Sequence, residues 1–172
     1  LATDKLRWGY ATAKLMTEFM LRSNSHPSTI VRFFNVVGPG QLGDYGMVLP
    51  RFIEAAKEGK NLVVHGDGSQ IRSFCHVADA VDATLRIIDS SKANGDVFNV
   101  GNDSEITIGE LASTVISRLS SSSSVEFVPY EKAYGAGFED MQRRVPDISK
   151  IKRVLGWSPS HNLDQIIDDI RS

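Results

Sequence analysis

Along this chain, stretches whose apolar residues recur every three or four positions alternate with short runs of β-branched and aromatic residues. Residues 7–22 contain no proline, and Leu15, Met16, Phe19 and Met20 recur at helical spacing, which predicts a helix with one buried face. Ser, Asn and Pro cluster over 23–27 and end it, and TIVRFFNVV at 29–37 then predicts a buried strand. Gly38, Pro39, Gly40, Gly43 and Gly46 mark a loop, followed by a helix over 48–58 and a short strand over 61–65. Asp67-Gly68 signals a turn and 73–77 reads as a strand. Asp79 suits the N-cap of a helix over 80–89 whose apolar side is Val81, Leu85 and Ile88. A strand at 97–100 precedes a helix over 108–119 with Ile108, Leu111, Val115 and Ile116 on one stripe. The serine run at 120–124 reads as a solvated loop. A strand at 125–128, a segment of glycines and mixed charge over 130–145, and two short helices at 149–155 and 163–170 complete the pattern. Such alternation argues for an α/β fold with mainly parallel pairing, because parallel neighbours need a helical crossover between them.

Composition adds exclusions. The 172 residues, 41% hydrophobic and 23% charged, suffice for a core in one or two lobes. A formal charge of -2 leaves no electrostatic footprint for a nucleic acid or an anionic membrane surface, so an anionic ligand must be met by a few placed cations. The single cysteine, Cys75, excludes an internal disulfide and agrees with a cytoplasmic location. No apolar run approaches the roughly 20 residues needed to span a bilayer, and the first residues lack a signal-peptide layout, so no membrane partner is expected. His26, His65, His76 and His161 are scattered, with no pair at helical ligand spacing, and no metal site is expected. His76 and Asp79 invite a dyad, but Asp79 is better read as a helix cap and His76 as a strand residue.

Tyr10 and Lys14 stand four apart on the first helix, so their side chains emerge on one face. A free phenol titrates near pH ~10, and an adjacent ammonium favours the phenolate, bringing proton transfer within reach at neutral pH. Taken alone, that spacing is also met by chance on helix surfaces. Its context is more specific. Arg7-Trp8-Gly9-Tyr10-Ala11-Thr12-Ala13-Lys14, with Glu18 four residues on, resembles the catalytic helix of extended short-chain dehydrogenases/reductases of the nucleotide-sugar epimerase and dehydratase group. Arg32-Phe33-Phe34-Asn35-Val36-Val37-Gly38-Pro39 is similar to the family's next strand and turn, with Phe33 and Val37 in place of the common tyrosines. Val64 to Phe74, Val77-Ala78-Asp79, Phe98-Asn99-Val100-Gly101, Arg144 to Lys150 and Leu155 to Pro159 follow in the family's order over nearly the whole chain.

This resemblance implies the C-terminal portion of a Rossmann-like parallel sheet, residues 1–44 and 66–101, plus a smaller α/β substrate-binding lobe, residues 45–65 and 102–172. It also implies NAD as cofactor, a nucleotide-diphosphate sugar such as a UDP-sugar as substrate, and a homodimer. Tyr10 and Lys14 would be the acid-base pair at the sugar 4-hydroxyl, with Lys14 also on the cofactor ribose. Phe34 and Pro39 would line the nicotinamide end, Asn35 would sit beside the diphosphate, and Arg72 and Arg144 would clamp it. His65 would take the place of an aromatic ring against the base, with a solvated edge histidine as the plain alternative. A guanidinium can bond phosphate oxygens bidentately. The plain alternative for each arginine is a surface salt bridge, and Arg143 could take the second role. For Phe33 and Phe34 the alternative is core packing, expected of at least one.

The family's Gly-x-x-Gly-x-x-Gly turn is absent, since the only glycine-rich stretch follows the tyrosine helix, so the chain reads as a C-terminal part of such a protein. The segment in which this family's dehydratases, unlike its epimerases, add an Asp-Glu pair lies outside it, and decarboxylases also remain open. A UDP-sugar 4-epimerase is the leading expectation. Dehydratase, UDP-glucuronate decarboxylase and a non-catalytic sugar-nucleotide-binding module remain as alternatives. A carbonyl reductase would share Tyr10 and Lys14 without needing two diphosphate arginines.

Overall fold

Helix α1 (Arg7–Arg22) opens the fold and is followed by β1 (Ile30–Phe33) and β2 (Val36–Val37). The computed structural model describes residues 7–23, 25, 28–41, 43, 47–135 and 140–171, so the expectations placed on His26, Pro27, Asp44 and Gly46 lie outside the described residues. Next come α2 (Val48–Lys57), β3 (Leu62–His65), β4 (Ile71–Arg72), β5 (Cys75–His76), α3 (Val77–Asp89) and β6 (Val97–Val100). The rest comprises β7 (Ile106–Thr107), α4 (Ile108–Leu119), β8 (Val125–Val128), α5 (Tyr130–Tyr134), β9 (Arg143–Arg144), α6 (Ser149–Leu155) and α7 (Leu163–Arg171).

Strand pairing is mainly parallel, as the alternation of elements predicts. β1 pairs with β6, β2 with β5 and β3 with β8, all parallel. β4 lies between antiparallel β7 and parallel β9. Two cores result. In one, Leu49, Phe52 and Ile53 of α2, Leu111 and Val115 of α4, and Ile166 and Ile167 of α7 close over Leu62 and Val64 of β3. In the other, Ala83 and Ile87 of α3 and Ile151 of α6 meet Phe98 and Val100 of β6, with Trp157 buried beside them.

Local chemistry sets the joints. α4 starts with a capping box, in which the Thr107 hydroxyl accepts from Glu110 N at 3.1 Å and the Glu110 carboxylate accepts from Thr107 N at 3.0 Å. Gly68 has φ +78, and a Cβ there would lie 3.2 Å from the Gly109 backbone, so only glycine lets this turn pass over the start of α4. That turn delivers β4, and with it Arg72, between β7 and β9.

Four expectations need correction. The strand at 29–37 is interrupted at Asn35, which has φ 39. The third helix starts at Val77, and its cap is His76, whose Nδ1 accepts from Ala78 N at 3.2 Å. Asp79 is instead turned inward, accepting from the Ser160 hydroxyl at 2.7 Å and from His161 N at 3.1 Å. Burial opposes ionisation of Asp79, but the bonds from Ser160 and His161 outweigh it and hold the carboxyl below its usual range. Next, the apolar stripes of α1 and α3 face outward. Leu15, Met16, Phe19 and Met20 of α1 are exposed, as are Val81, Leu85 and Ile88 of α3. Helical periodicity reveals a stripe but not which side of the helix meets the core, and α3 carries a second, smaller stripe of Ala80, Ala83 and Ile87 that does. Phe33 is exposed and Phe34 half-buried, so neither is a core residue. Contact between α1 and β1 includes a two-pronged ion pair, with Arg32 Nε and Nη2 donating to the two Glu18 oxygens at 2.7 and 2.5 Å.

The two kinds of stripe differ in energy. Leu111→Ala, at a fully buried position, is expected to lower stability by about 2–5 kcal/mol, whereas Leu85→Ala, at a side chain 54% exposed, changes it by less than about 0.5 kcal/mol. Urea unfolding of both variants checks this, and equal losses would place α3's outer face in the core.

Candidate anion-binding site

The site begins where the strand breaks. Asparagine tolerates the left-handed region better than other non-glycine residues because its short side chain bonds nearby groups. Asn35 does so fully: its carbonyl accepts from Cys75 N at 3.1 Å, its Nδ2 donates to Ser73 O at 2.8 Å, and its Oδ1 accepts from Arg144. A Cβ on Gly38 would lie 2.4 Å from Val77 Cγ1, so the chain leaving β2 passes α3 at a distance only glycine allows.

Beside Asn35 lies a cavity of about 240 Å³ lined by Arg51, His65, Gln70, Arg72, Tyr130, Tyr134, Asp140 and Arg144 among others. Arg72 is only 8% exposed. Its Nη1 donates to the Ile71 and Met141 carbonyls at 2.8 Å each and its Nη2 to Asp140 at 2.7 Å, while its Nε–H has no acceptor among the described residues. Asp140 also accepts from the Tyr130 hydroxyl at 3.2 Å, and that oxygen accepts from the Gln70 amide. Burial, partly countered by the Gln70 bond, raises the Tyr130 pKa and keeps the phenol protonated. The His65 ring meets Tyr134 edge-on, with centroids 5.0 Å apart and Nδ1 2.8 Å from the hydroxyl. Burial, then the Arg51 charge, lowers the His65 pKa, so its ring is neutral at pH 7. Desolvation and the nearby Arg72 charge likewise lower that of Arg144, with no consequence for a guanidinium's charge. Three arginines against the Asp140 carboxylate leave the lining with a net formal charge of +2, in a chain whose overall charge is -2. Such a cavity attracts a compact anion.

The structure thus brings Asn35, His65, Arg72 and Arg144 together, although they lie far apart in sequence. Arg143 does not join them: it pairs with Glu105 at 2.5 Å. Tyr10 and Lys14 are not among the residues that line the cavity. They share the open face of α1, with Tyr10 74% exposed and Lys14 Nζ 5.6 Å from its ring centroid. Phe34 and Pro39 also lie outside the lining. Sequence reasoning assigned no role to Gln70, Tyr130, Tyr134, Asp140 or Arg51. Gln70 sits within the Val64 to Phe74 signature, but a partner such as Asp140, reached across 68 residues, leaves no mark in spacing. His76 and Asp79 form no dyad, since Asp79 bonds His161 instead.

Residues 2–101 match the model of the NAD dependent epimerase/dehydratase family, and the chain belongs to that family. Among curated relatives, it is 42% identical over 168 residues to the UDP-N-acetyl-alpha-D-glucosaminuronate decarboxylase of Bacillus cytotoxicus, covering 95% of this chain and 52% of that protein. It is 35% identical over 157 residues to UDP-glucuronic acid decarboxylase 2 of Arabidopsis thaliana, covering 91% of this chain and 34% of the other. Its fold superposes with a TM-score of 0.72 on the UDP-glucuronic acid 4-epimerase of Bacillus cereus, solved with UDP-glucuronic acid and NAD, at 27% identity over 83% of this chain and 43% of that one. The chain therefore spans about half, or less, of the length of these relatives.

Among the described residues that line the cavity, Asp140 is the one carboxylate. Asp140→Asn keeps its shape and removes the like charge, so inorganic pyrophosphate should bind several-fold more tightly at low salt, by about 0.5–1 kcal/mol. Titration calorimetry reads this, and weaker binding would mean that Asp140 acts chiefly by holding Arg72 in place.

Proposed function

We propose that this chain forms the sugar-nucleotide-binding and acid-base part of an NAD-dependent enzyme acting on a UDP-sugar. The observation that carries this reading is the convergence of Arg72, Arg144, Asn35 and His65 on one cationic cavity. At about 240 Å³ it is smaller than the roughly 300–1,000 Å³ typical of a whole small-molecule site. It suits the diphosphate and its flanks, with the sugar reaching out toward α1. Arg72 offers its free N–H edge, Arg144 trades its Asn35 bond for a phosphate oxygen, and neutral His65 with Tyr134 presents an aromatic edge to the base.

The residues this chain would give to NAD are Tyr10, Lys14, Phe34 and Pro39. A hydroxyl and an ammonium open to solvent on one helix face suit the cofactor's nicotinamide-ribose end. Bound there, NAD supplies hydride acceptance from sugar C4. Tyr10 would take the proton of the sugar 4-hydroxyl and later return it, while Lys14 would hold the cofactor ribose. A ketone at C4 of a hexuronic acid is β to the carboxylate, so the C5–C6 bond can break with loss of CO2, its electron pair passing into an enolate on the C4 oxygen that then takes a proton at C5. The 42% identity to a UDP-hexuronic acid decarboxylase favours that outcome over the 4-epimerisation first expected from the sequence. Epimerisation is the second reading, favoured by the likeness to the Bacillus cereus 4-epimerase. On either, residues 1–44 and 66–101 would belong with the NAD-binding sheet and 45–65 and 102–172 with the substrate lobe, the whole protein working as a cytoplasmic homodimer.

In the whole protein, Tyr10→Phe should leave UDP-sugar binding nearly intact and cut turnover by roughly 10²-fold or more. Arg72→Ala should weaken UDP-sugar binding by about 1.5–3 kcal/mol, the scale of a hydrogen bond to a charged group. Titrated binding and single-turnover rates on UDP-glucuronic acid and UDP-N-acetylglucosaminuronic acid separate the two effects. CO2 release supports decarboxylation and a C4 epimer supports the second reading. Conversion of neither substrate, or full turnover by Tyr10→Phe, would sink the assignment.

A further inference from the structure

Spacing along the chain offers no metal motif, yet the fold gathers His76, His161 and Asp169 at a place that does not line the anion cavity. His76 ends β5 and caps α3, His161 lies in the loop before α7, and Asp169 sits near the end of α7. One potential ligand atom from each lies within 4.8 Å of the others. The two imidazoles stack with centroids 4.2 Å apart and planes inclined by 26°. The Asp169 carboxylate is 3.4 Å from His76 Nε2.

Two observations go beyond proximity. His76 is 6% exposed, and its buried Nε2 makes no hydrogen bond among the described residues. The Asp169 carboxylate stands 3.4 Å away without forming that bond, and a buried ring nitrogen so placed asks for a closer partner. Second, Asp79 holds His161 from behind: its carboxylate lies 2.9 Å from His161 Nδ1 and also accepts from His161 N and from Ser160. A carboxylate behind the imidazole, fixing its tautomer and orientation, is the outer-shell arrangement that ligating histidines use.

We propose that His76, His161 and Asp169 bind a divalent transition ion of the zinc class, which staples the start of α3 to α7. Two imidazoles and one carboxylate suit Zn²⁺, Ni²⁺ or Cu²⁺ rather than Mg²⁺ or Ca²⁺, which take oxygen ligands. Asp169 is half exposed, so water completes the shell. Because His76 Nδ1 accepts from Ala78 N, the ring proton sits on Nε2 while the cap is formed. An ion at Nε2 requires that proton to move to Nδ1, which can then no longer accept from Ala78 N, and requires one of the two stacked rings to turn so that both lone pairs meet the ion; the cap on α3 is thereby exchanged for a metal–nitrogen bond. Asparagine at position 76 would keep a cap acceptor without offering the ring nitrogen.

The test is calorimetric titration of the intact, tag-free protein with ZnCl₂, alongside His76→Asn, His161→Ala and Asp169→Asn. A single saturable site is expected, with a rise in Tm on Zn²⁺ addition and none with Mg²⁺, and each variant should bind at least ~10-fold more weakly. Absence of saturable binding, or affinity unchanged in all three variants, overturns the proposal. Should a variant fail to fold, Co²⁺ added to the unsubstituted protein decides. Paramagnetic shifts of the His76 and His161 ring protons support the site, and shifts confined to His26 or His65 overturn it.

Discussion

Asn35 holds a left-handed backbone conformation that costs a residue with a Cβ roughly 1–2 kcal/mol. At that residue the chain changes partners: β1 runs beside β6, and after Asn35 β2 runs beside β5. A straight strand would have continued along β6. The bonds from Asn35 to Cys75 and Ser73 tie the kink to the segment that follows β4, and its remaining oxygen meets Arg144 beside β9. At about 0.5–1.5 kcal/mol each, these bonds offset the strain. One residue thus sets both the sheet's change of register and one wall of the cationic cavity.

The cavity's electrostatics follow from how its arginines are held. Arg72 is buried, and a buried guanidinium needs a counter-charge. Asp140 provides it together with two backbone carbonyls, leaving an N–H edge for a ligand. Arg144 bonds a neutral amide, which gives way to a charged oxygen more easily than a carboxylate would. The two guanidiniums therefore differ in kind: Arg72 is a fixed cation that a ligand adds to, and Arg144 a cation that a ligand can recruit.

Legibility from sequence divides along the same physical lines. Local signals held: the helices over 7–22, 48–58 and 108–119, the strands at 61–65, 97–100 and 125–128, and the closing helices are all present within a residue or so. Two-residue strands such as β4, β7 and β9 exist only because partners from elsewhere pair with them, and no periodicity announces them. Asp79 reads as a cap because of its residue type, but the position one turn of backbone geometry selects is His76. The cavity's four expected residues were reached by resemblance, while Tyr130 and Asp140, which shape it, are supplied by long-range folding alone.

The outward stripes of α1 and α3 remain to be placed in this picture. Phe33, Val36, Val77, Val81 and Leu85 form an apolar groove, and α1 shows Leu15, Met16, Phe19 and Met20 nearby in chain order. Exposed apolar side chains grouped in this way suit contact with another surface. Tyr10 and Lys14 stand on the same α1 helix, whose described tie to β1 is the exposed Glu18–Arg32 pair, and a surface ion pair holds a helix by only about 0.2–1 kcal/mol. Geometry good to a fraction of an ångström is required for proton transfer, and this ion pair does not by itself supply it. On the proposed reading, whatever covers the apolar stripe also fixes the Tyr10–Lys14 pair, so anion binding at well-anchored Arg72 and proton transfer at Tyr10 would rest on separate supports within one chain.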